Sequence, residues 1–141
     1  FAGIERFPFD PAFRVAARVE QPPEGARVAV TNVLGYTVDE PLVATLVFDL
    51  QGREYRLDAT QGSASGYFVV FGDTTNGAGT HGGGRFLSVP VGEDGAAIVD
   101  FNRAYNPPCA FTEFSTCELP TAGNRLPIPV TAGERAPRAR P

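Results

Sequence analysis

Apolar and polar residues alternate one by one along several short stretches of this chain. In residues 13–19 and 42–50, an apolar side chain occupies every second position. This period of two is typical of strands that bury one face. No stretch repeats its apolar residues every three to four positions, and 16 glycines and 13 prolines interrupt the chain too often for long helices. The sequence therefore predicts an all-β fold, an antiparallel β-barrel or sandwich with long polar loops and little or no helix.

Turn residues and apolar runs divide the chain into strands. Gln51 and Gly52 form a two-residue hairpin turn after the strand 42–50. Residues 67–71 are apolar on both faces, which predicts a central, buried strand. Two prolines confine the apolar run 126–131 to the edge of a sheet. Segments without such a period are predicted as connections or loops: 35–41, 61–66 and 102–125.

Length and charge limit the class of protein. A chain of 141 residues fits one domain with a single core, which we expect at residues 1–134, followed by a flexible Arg/Pro tail at 135–141. The chain begins with Phe1 instead of Met, so we expect it to be the C-terminal part of a longer protein. A formal net charge of −4 argues against a nucleic-acid partner, and no apolar run reaches the about 20 residues of a membrane helix. We therefore expect a cytoplasmic location with no membrane partner.

A second predicted hairpin brings polar residues together. Gly92 to Gly95 form a turn between two strands that begin at Arg85 and end at Phe101. With this turn, odd-numbered residues of the first strand lie opposite even-numbered residues of the second, and the even-numbered residues of the first strand face the core. Arg85 would then share the other face with Asp100 and Asn102, where a guanidinium pairs with a carboxylate and presents donors to a ligand. The predicted ligand-binding residues are Arg85, Asp100, Asn102, Asn106 and Arg125.

Several residues are candidates for catalysis. Cys109 would be a nucleophile if His81 and an acid such as Asp73 or Asp100 lowered the pKa of its thiol. Acid–base chemistry with two carboxylates would draw on Asp73, Asp100 and Glu134. The sequence leaves open whether the protein is an enzyme.

The two cysteines allow four interpretations. Cys109 could act as a nucleophile, or Cys109 and Cys117 could both bind a metal, form a disulfide, or be two buried, small apolar side chains. Their spacing matches no zinc module, and we predict no metal and no cofactor. The glycine-rich loop 77–84 lacks both the Lys and the helix start of a phosphate loop, so we expect its glycines to supply positive φ angles.

Five uncommon sequence segments follow one another along the chain. They are RVAVTNVLG (27–35), LVFDLQGREYRLDA (46–59), GDTTNGAGTHGGGRFL (72–87), DFNRAYNPPCAF (100–111) and CELPTAGNRLPIPV (117–130). In these segments the chain resembles, over nearly all of residues 5–134, the bacterial and archaeal family named domain of unknown function 1684. The resemblance implies no activity and no cofactor, because that family is uncharacterised. It also implies that an aromatic residue commonly replaces His81, which argues against a required base at that position.

Three functions follow as hypotheses. The first is a small-molecule-binding β domain that recognises a polar or anionic ligand through the cluster at Arg85. The second is a hydrolase-like enzyme that uses Cys109 or a pair of carboxylates. The third is a purely structural domain, in which the polar side chains satisfy buried backbone groups of the long loops.

Overall fold

Short antiparallel strands make up the fold. The structure, a computed structural model, describes residues 4–137. Its strands are β1 (Arg14–Glu20), β2 (Arg27–Thr31), β3 (Thr37–Pro41), β4 (Ala44–Leu50), β5 (Arg53–Ala59), β6 (Gln61–Ser63), β7 (Gly66–Phe71), β8 (Arg85–Pro90) and β9 (Ala97–Asp100). Single turns of 3-10 helix lie at Pro11–Phe13, Phe101–Arg103, Pro108–Ala110 and Ala122–Asn124.

The strands form separate sheets. One sheet has four strands in the order β5-β4-β1-β9, a second has three in the order β6-β7-β8, and β2 and β3 form a two-stranded hairpin. Within residues 4–137 these sheets do not close into a barrel, and the prediction of an all-β, sandwich-like fold is confirmed. None of the helices in the described part of the chain is long and apolar enough to span a membrane.

The core lies between the four-stranded and three-stranded sheets. The period of two along β4 and β5 directs Leu46 and Leu57 inward, and Leu87 enters from β8; all three are fully buried. The rings of Phe71 and Phe101 meet edge to face at the centre, with their centroids 5.2 Å apart. Full burial of one such side chain stabilises the fold by about 1.5–3 kcal/mol. This shared core fixes how the two sheets sit on each other.

The predicted pairing of β8 with β9 is wrong. An isolated bridge joins Val91 to Ala97, but β8 forms its ladder with β7, and β9 forms its ladder with β1. That bridge pairs two odd-numbered residues, whereas the predicted turn paired odd with even. A change of register by one residue turns every side chain to the other face of a strand. Arg85 and Leu87 therefore face the core, and Phe86 lies on the opposite face.

Other sequence-based boundaries also change. Residues 37–41 and 61–63 were predicted as connections but form β3 and β6, because each pairs with its neighbour along the chain. Residues 126–131 were predicted as an edge strand but form no strand. The predicted flexible tail began at residue 135, yet the backbone N–H groups of Arg135 and Ala136 donate to the carbonyls of Glu5 and Gly79. Residues 138–141 of that tail lie outside the described residues.

Candidate functional site

Arg85 is enclosed by protein and holds the C-terminal segment. Its side chain has no exposed surface. The guanidinium donates hydrogen bonds to the backbone carbonyl oxygens of Val130 (3.0 Å), Ala132 and Glu134 (3.2 Å). The ring of Phe71 lies 5.2 Å from its central carbon, within the range of a cation–π contact. Arg85 therefore anchors residues 130–134 to the edge of the three-stranded sheet.

Asp73 supplies the opposite charge. Its Oδ1 atom lies 3.6 Å from Nη2 of Arg85, and neither side chain is exposed. Its Oδ2 atom accepts hydrogen bonds from the Thr75 hydroxyl (2.7 Å) and from the backbone N–H groups of Thr75 (3.2 Å) and Val130 (2.7 Å). Burial lowers the pKa of the Arg85 guanidinium, and Asp73 opposes that shift. Within residues 4–137, the pair thus takes its hydrogen bonds from the protein itself, but Nε of Arg85 is buried with no hydrogen-bond partner.

Glu134 and Asn106 extend the same network. Oε1 of Glu134 accepts from the backbone N–H (2.9 Å) and the side-chain Nδ2 (3.2 Å) of Asn106, and Oε2 accepts from Arg6 (3.0 Å). Asn106 also donates to the carbonyl of Arg135 at 3.0 Å. Both Asn106 and Glu134 are buried. The two candidate carboxylates Asp73 and Glu134 therefore tie loops together and do not face an open cavity.

The predicted cluster of Arg85 with Asp100 and Asn102 does not form. Oδ1 of Asp100 accepts from the backbone N–H (3.1 Å) and the Nδ2 atom (2.9 Å) of Asn102, which caps the 3-10 turn that follows β9. Asn102 also exchanges two hydrogen bonds with the backbone of Asp10, and Oδ2 of Asp100 lies 3.8 Å from Arg14. The cause is the register described above, which turns Arg85 into the core.

Asn124 and Arg125 lie at another loop junction. The Asn124 side chain bonds only to main-chain atoms, namely the N–H and C=O of Asp58 and the C=O of Val70, at 2.8–2.9 Å. Arg125 is exposed, and its backbone pairs with Gly72 in an isolated bridge. The ligand-binding role predicted for Arg85, Asp100, Asn102, Asn106 and Arg125 stays a prediction, and none of these residues lines the two grooves described below.

The candidate nucleophile is not available. Cys109 and Cys117 form a disulfide with their Cα atoms 6.2 Å apart, so neither sulfur is a thiolate in this state. His81 is half-buried in the glycine-rich loop, and burial lowers the pKa of its imidazole. The expected positive φ angles occur in that loop at Gly77, Gly79 and Gly84. Across residues 4–137, no group of three or more His, Cys, Asp or Glu side chains is placed to hold a metal ion.

An open groove lies on the outward face of the three-stranded sheet. This face groove has a volume of about 620 Å³, within the range of small-molecule sites. Direct cross-strand pairing places Gln61, Phe68 and Ser88 in one row across β6, β7 and β8. The turn between β6 and β7 and the segment after β9 both contribute lining residues. The lining residues are Gln61, Gly62, Ser63, Ser65, Gly66, Tyr67, Phe68, Ser88, Val89, Pro90, Arg103 and Tyr105.

Phe68 and Tyr105 line the face groove, and Phe86, which lines the smaller groove described next, contacts both; we call these three rings the aromatic floor. Phe68 and Phe86 meet edge to face with their centroids 4.9 Å apart, and Phe86 and Tyr105 do so at 5.9 Å. The backbones of Phe86 and Tyr105 exchange two hydrogen bonds, which fixes Tyr105 beside β8. All three side chains are partly exposed. The floor is therefore a pre-formed surface on which a flat, apolar group can pack.

A smaller groove continues past Phe68. It has a volume of about 330 Å³ and is lined by Gln61, Phe68, Phe86, Pro108, Thr116, Cys117 and Glu118. Gln61 and Phe68 line both grooves, so the two are adjacent. Burial, together with a hydrogen bond and charge repulsion from Glu40, raises the pKa of Glu118 to about 7. The far end of the grooves thus carries a carboxyl group that titrates near neutral pH.

The face groove was not predicted from the sequence. Residues 67–71 are apolar on both faces, which predicts burial on both, but only Val69 and Phe71 are fully buried, and Phe68 and Val70 on the other face are partly exposed. The apolar side chain of Phe68 on the outer face is the sequence signal from which a binding surface could have been predicted. Arg103 and Tyr105 carry no local signal, because the chain reaches β8 there only through a tertiary bridge.

Comparison with known proteins agrees with this fold. Residues 1–135 match the family described as "Protein of unknown function (DUF1684)". The solution NMR structure of an uncharacterised protein from gene locus rrnAC0354 of Haloarcula marismortui is 36% identical, with a TM-score of 0.72, over 96% of this chain and 77% of that one. No match was found among curated proteins. The family match, which covers nearly the whole chain, and the similar fold lead to one conclusion: the chain belongs to the DUF1684 family of proteins of unknown function.

Proposed function

We propose that this domain binds a small molecule whose flat, apolar part packs on the aromatic floor of the face groove. One observation carries the proposal: Phe68 and Tyr105 line an open groove of about 620 Å³, and the partly exposed ring of Phe86, which lines the adjacent smaller groove, contacts both. Exposed apolar surface costs free energy in water, and a ligand that covers it recovers that energy. The serine hydroxyls and the Gln61 amide around the rim supply hydrogen bonds that orient such a ligand.

The binding hypothesis is favoured over a hydrolase. Acid–base hydrolysis needs carboxyl groups beside the substrate, and no Asp or Glu lines the face groove. The candidate acids Asp73 and Glu134 are buried in the network around Arg85. That network also supports part of the structural hypothesis, because its side chains hold loops through main-chain atoms. In this proposal, the network holds the sandwich together and the face groove binds the ligand.

The disulfide bears on the cellular location of the protein. A cytoplasmic location stays a prediction, and a disulfide argues against it, because such bonds are rare in the reducing cytosol.

Fluorescence titration with the neutral dye N-phenyl-1-naphthylamine tests the proposal. Ser88 is exposed opposite Phe68, so Ser88→Trp places a large side chain over Phe68 without removing a core contact. We expect Ser88→Trp to weaken dye binding at least about fivefold, given the value of an aromatic contact in a groove. Phe68→Ala should weaken binding as well. Phe114→Ala, which removes a ring that is 90% exposed outside the groove, is the matched control and should leave binding unchanged.

The opposite pattern would refute the proposal. If Ser88→Trp binds the dye as tightly as the unmodified protein, or if Phe114→Ala alone weakens binding, the dye occupies another apolar surface. Circular dichroism of each variant separates loss of binding from loss of fold. Ser88→Trp keeps the test decisive if Phe68→Ala fails to fold.

A further inference from the structure

The charge around the face groove differs from that of the whole chain. The protein contains 16 acidic residues and a formal net charge of −4. The lining of the face groove contains no acidic residue and one cation, Arg103. A site with a single positive charge and no negative one attracts anions, even on an acidic protein.

Arg103 is also free to bind a ligand. Most arginines in residues 4–137 pair with a carboxylate: Arg6, Arg14, Arg18, Arg27, Arg56, Arg85 and Arg135. Within the same residues, Arg103 has neither an ion pair nor a side-chain hydrogen bond, and it is exposed. A ligand would therefore not have to break an internal salt bridge to reach its guanidinium.

The backbone fixes where Arg103 stands. Asp100 caps the 3-10 turn Phe101–Arg103, and Phe101 is fully buried in the core. Two residues after Arg103, the backbone of Tyr105 pairs with that of Phe86, which holds Tyr105 beside β8. The backbone of Arg103 is thus held between two fixed points, while its exposed side chain lines the face groove.

We propose that the ligand of the face groove is an organic anion, in which a flat ring packs on the floor and a carboxylate, sulfonate or phosphate group pairs with Arg103. This inference rests on the proposed function. The planar guanidinium presents paired N–H donors that match the oxygens of such groups. The hydroxyls of Ser88 and Tyr105 line the same groove and supply further donors. Arg103 is the specificity-determining residue, and it disfavours cationic ligands.

A pair of dyes that share one aromatic skeleton tests the inference. 1-Anilinonaphthalene-8-sulfonate carries an anionic sulfonate, and N-phenyl-1-naphthylamine is its neutral parent. We expect Arg103→Gln to weaken binding of the sulfonate roughly three- to fivefold, as for an exposed ion pair, and to leave the neutral dye unchanged. Raising the salt concentration from about 0.1 M to about 1 M should weaken binding of the sulfonate dye only, because salt screens exposed charges.

Arg53→Gln is the matched control. Arg53 is exposed at the start of β5 and does not line the groove, so both dyes should bind this variant as they bind the unmodified protein. If Arg103→Gln leaves sulfonate binding unchanged while Ser88→Trp still blocks the neutral dye, the anion inference is overturned and the proposed function stands. If Ser88→Trp blocks neither dye, the proposed function itself fails.

Discussion

Replacement of Arg85 by Met should severely destabilise the fold. The change keeps most of the side-chain volume but removes the hydrogen bonds to the carbonyls of Val130, Ala132 and Glu134. It also leaves the Asp73 carboxylate buried without its cation. Breaking a buried ion pair by removing one partner costs about 3–5 kcal/mol. Because a domain is stable by only about 5–15 kcal/mol, this is a large part of the total free energy of unfolding.

Urea denaturation followed by circular dichroism measures the loss. The midpoint concentration should fall with little change in the slope, which reports the surface exposed on unfolding. In a thermal scan, the melting temperature should fall by roughly 10–20 °C, at roughly 3–4 °C per kcal/mol for a chain of this size. Arg85→Lys should not restore the wild-type value, since an ammonium cannot reach three carbonyl oxygens with the geometry of a planar guanidinium.

Two further variants sharpen the test. Arg125→Met removes an exposed arginine that does not line either groove, and it should change the free energy of unfolding by no more than about 0.5 kcal/mol. The double variant Arg85→Met, Asp73→Asn should lose less than the sum of its single changes, because it no longer buries a lone charge. The reasoning is refuted if the free energy of unfolding of Arg85→Met lies within about 1 kcal/mol of the wild-type value, because a loss that small is typical of an exposed ion pair.

Two other predictions concern the loop 109–117 and the carboxyl at its end. Reduction of the Cys109–Cys117 disulfide, or replacement of both residues by Ser, should lower the free energy of unfolding by about 2–3 kcal/mol, because it frees a short loop in the unfolded chain; identical urea midpoints with and without a reductant would contradict this. For Glu118, burial and Glu40 raise the pKa from 4.5 to about 7, so the folded state binds the proton more tightly than the unfolded state. Its contribution to stability is full below about pH 4.5 and is lost as the pH rises through about 7. Glu118→Gln should flatten that part of the pH profile of unfolding, and an unchanged slope would show that other groups cause it.

The fold class could be predicted because its signals are local. The period of two along residues 42–50 depends only on which face is buried, and the Gln51-Gly52 turn depends only on two neighbouring residues. The positive φ angles of Gly77 and Gly84 are local in the same sense. Each of these features holds whatever the remote parts of the chain do, and β4 and β5 form as expected.

Strand partners and the site depended on remote contacts. Whether β8 pairs with β7 or β9, and in which register, follows from how the two sheets share one core, and no local pattern carries that information. A single-residue change of register moved Arg85 from the predicted ligand site into the core, where it meets Asp73 and the segment 130–134. The same pairing exposed Phe68 and brought Tyr105 and Arg103 beside it. Local sequence pattern thus accounts for an all-β chain with special backbone positions. Which polar residues are buried, and where a groove opens, follow from the packing of distant strands, because the face on which a side chain lies depends on long-range register.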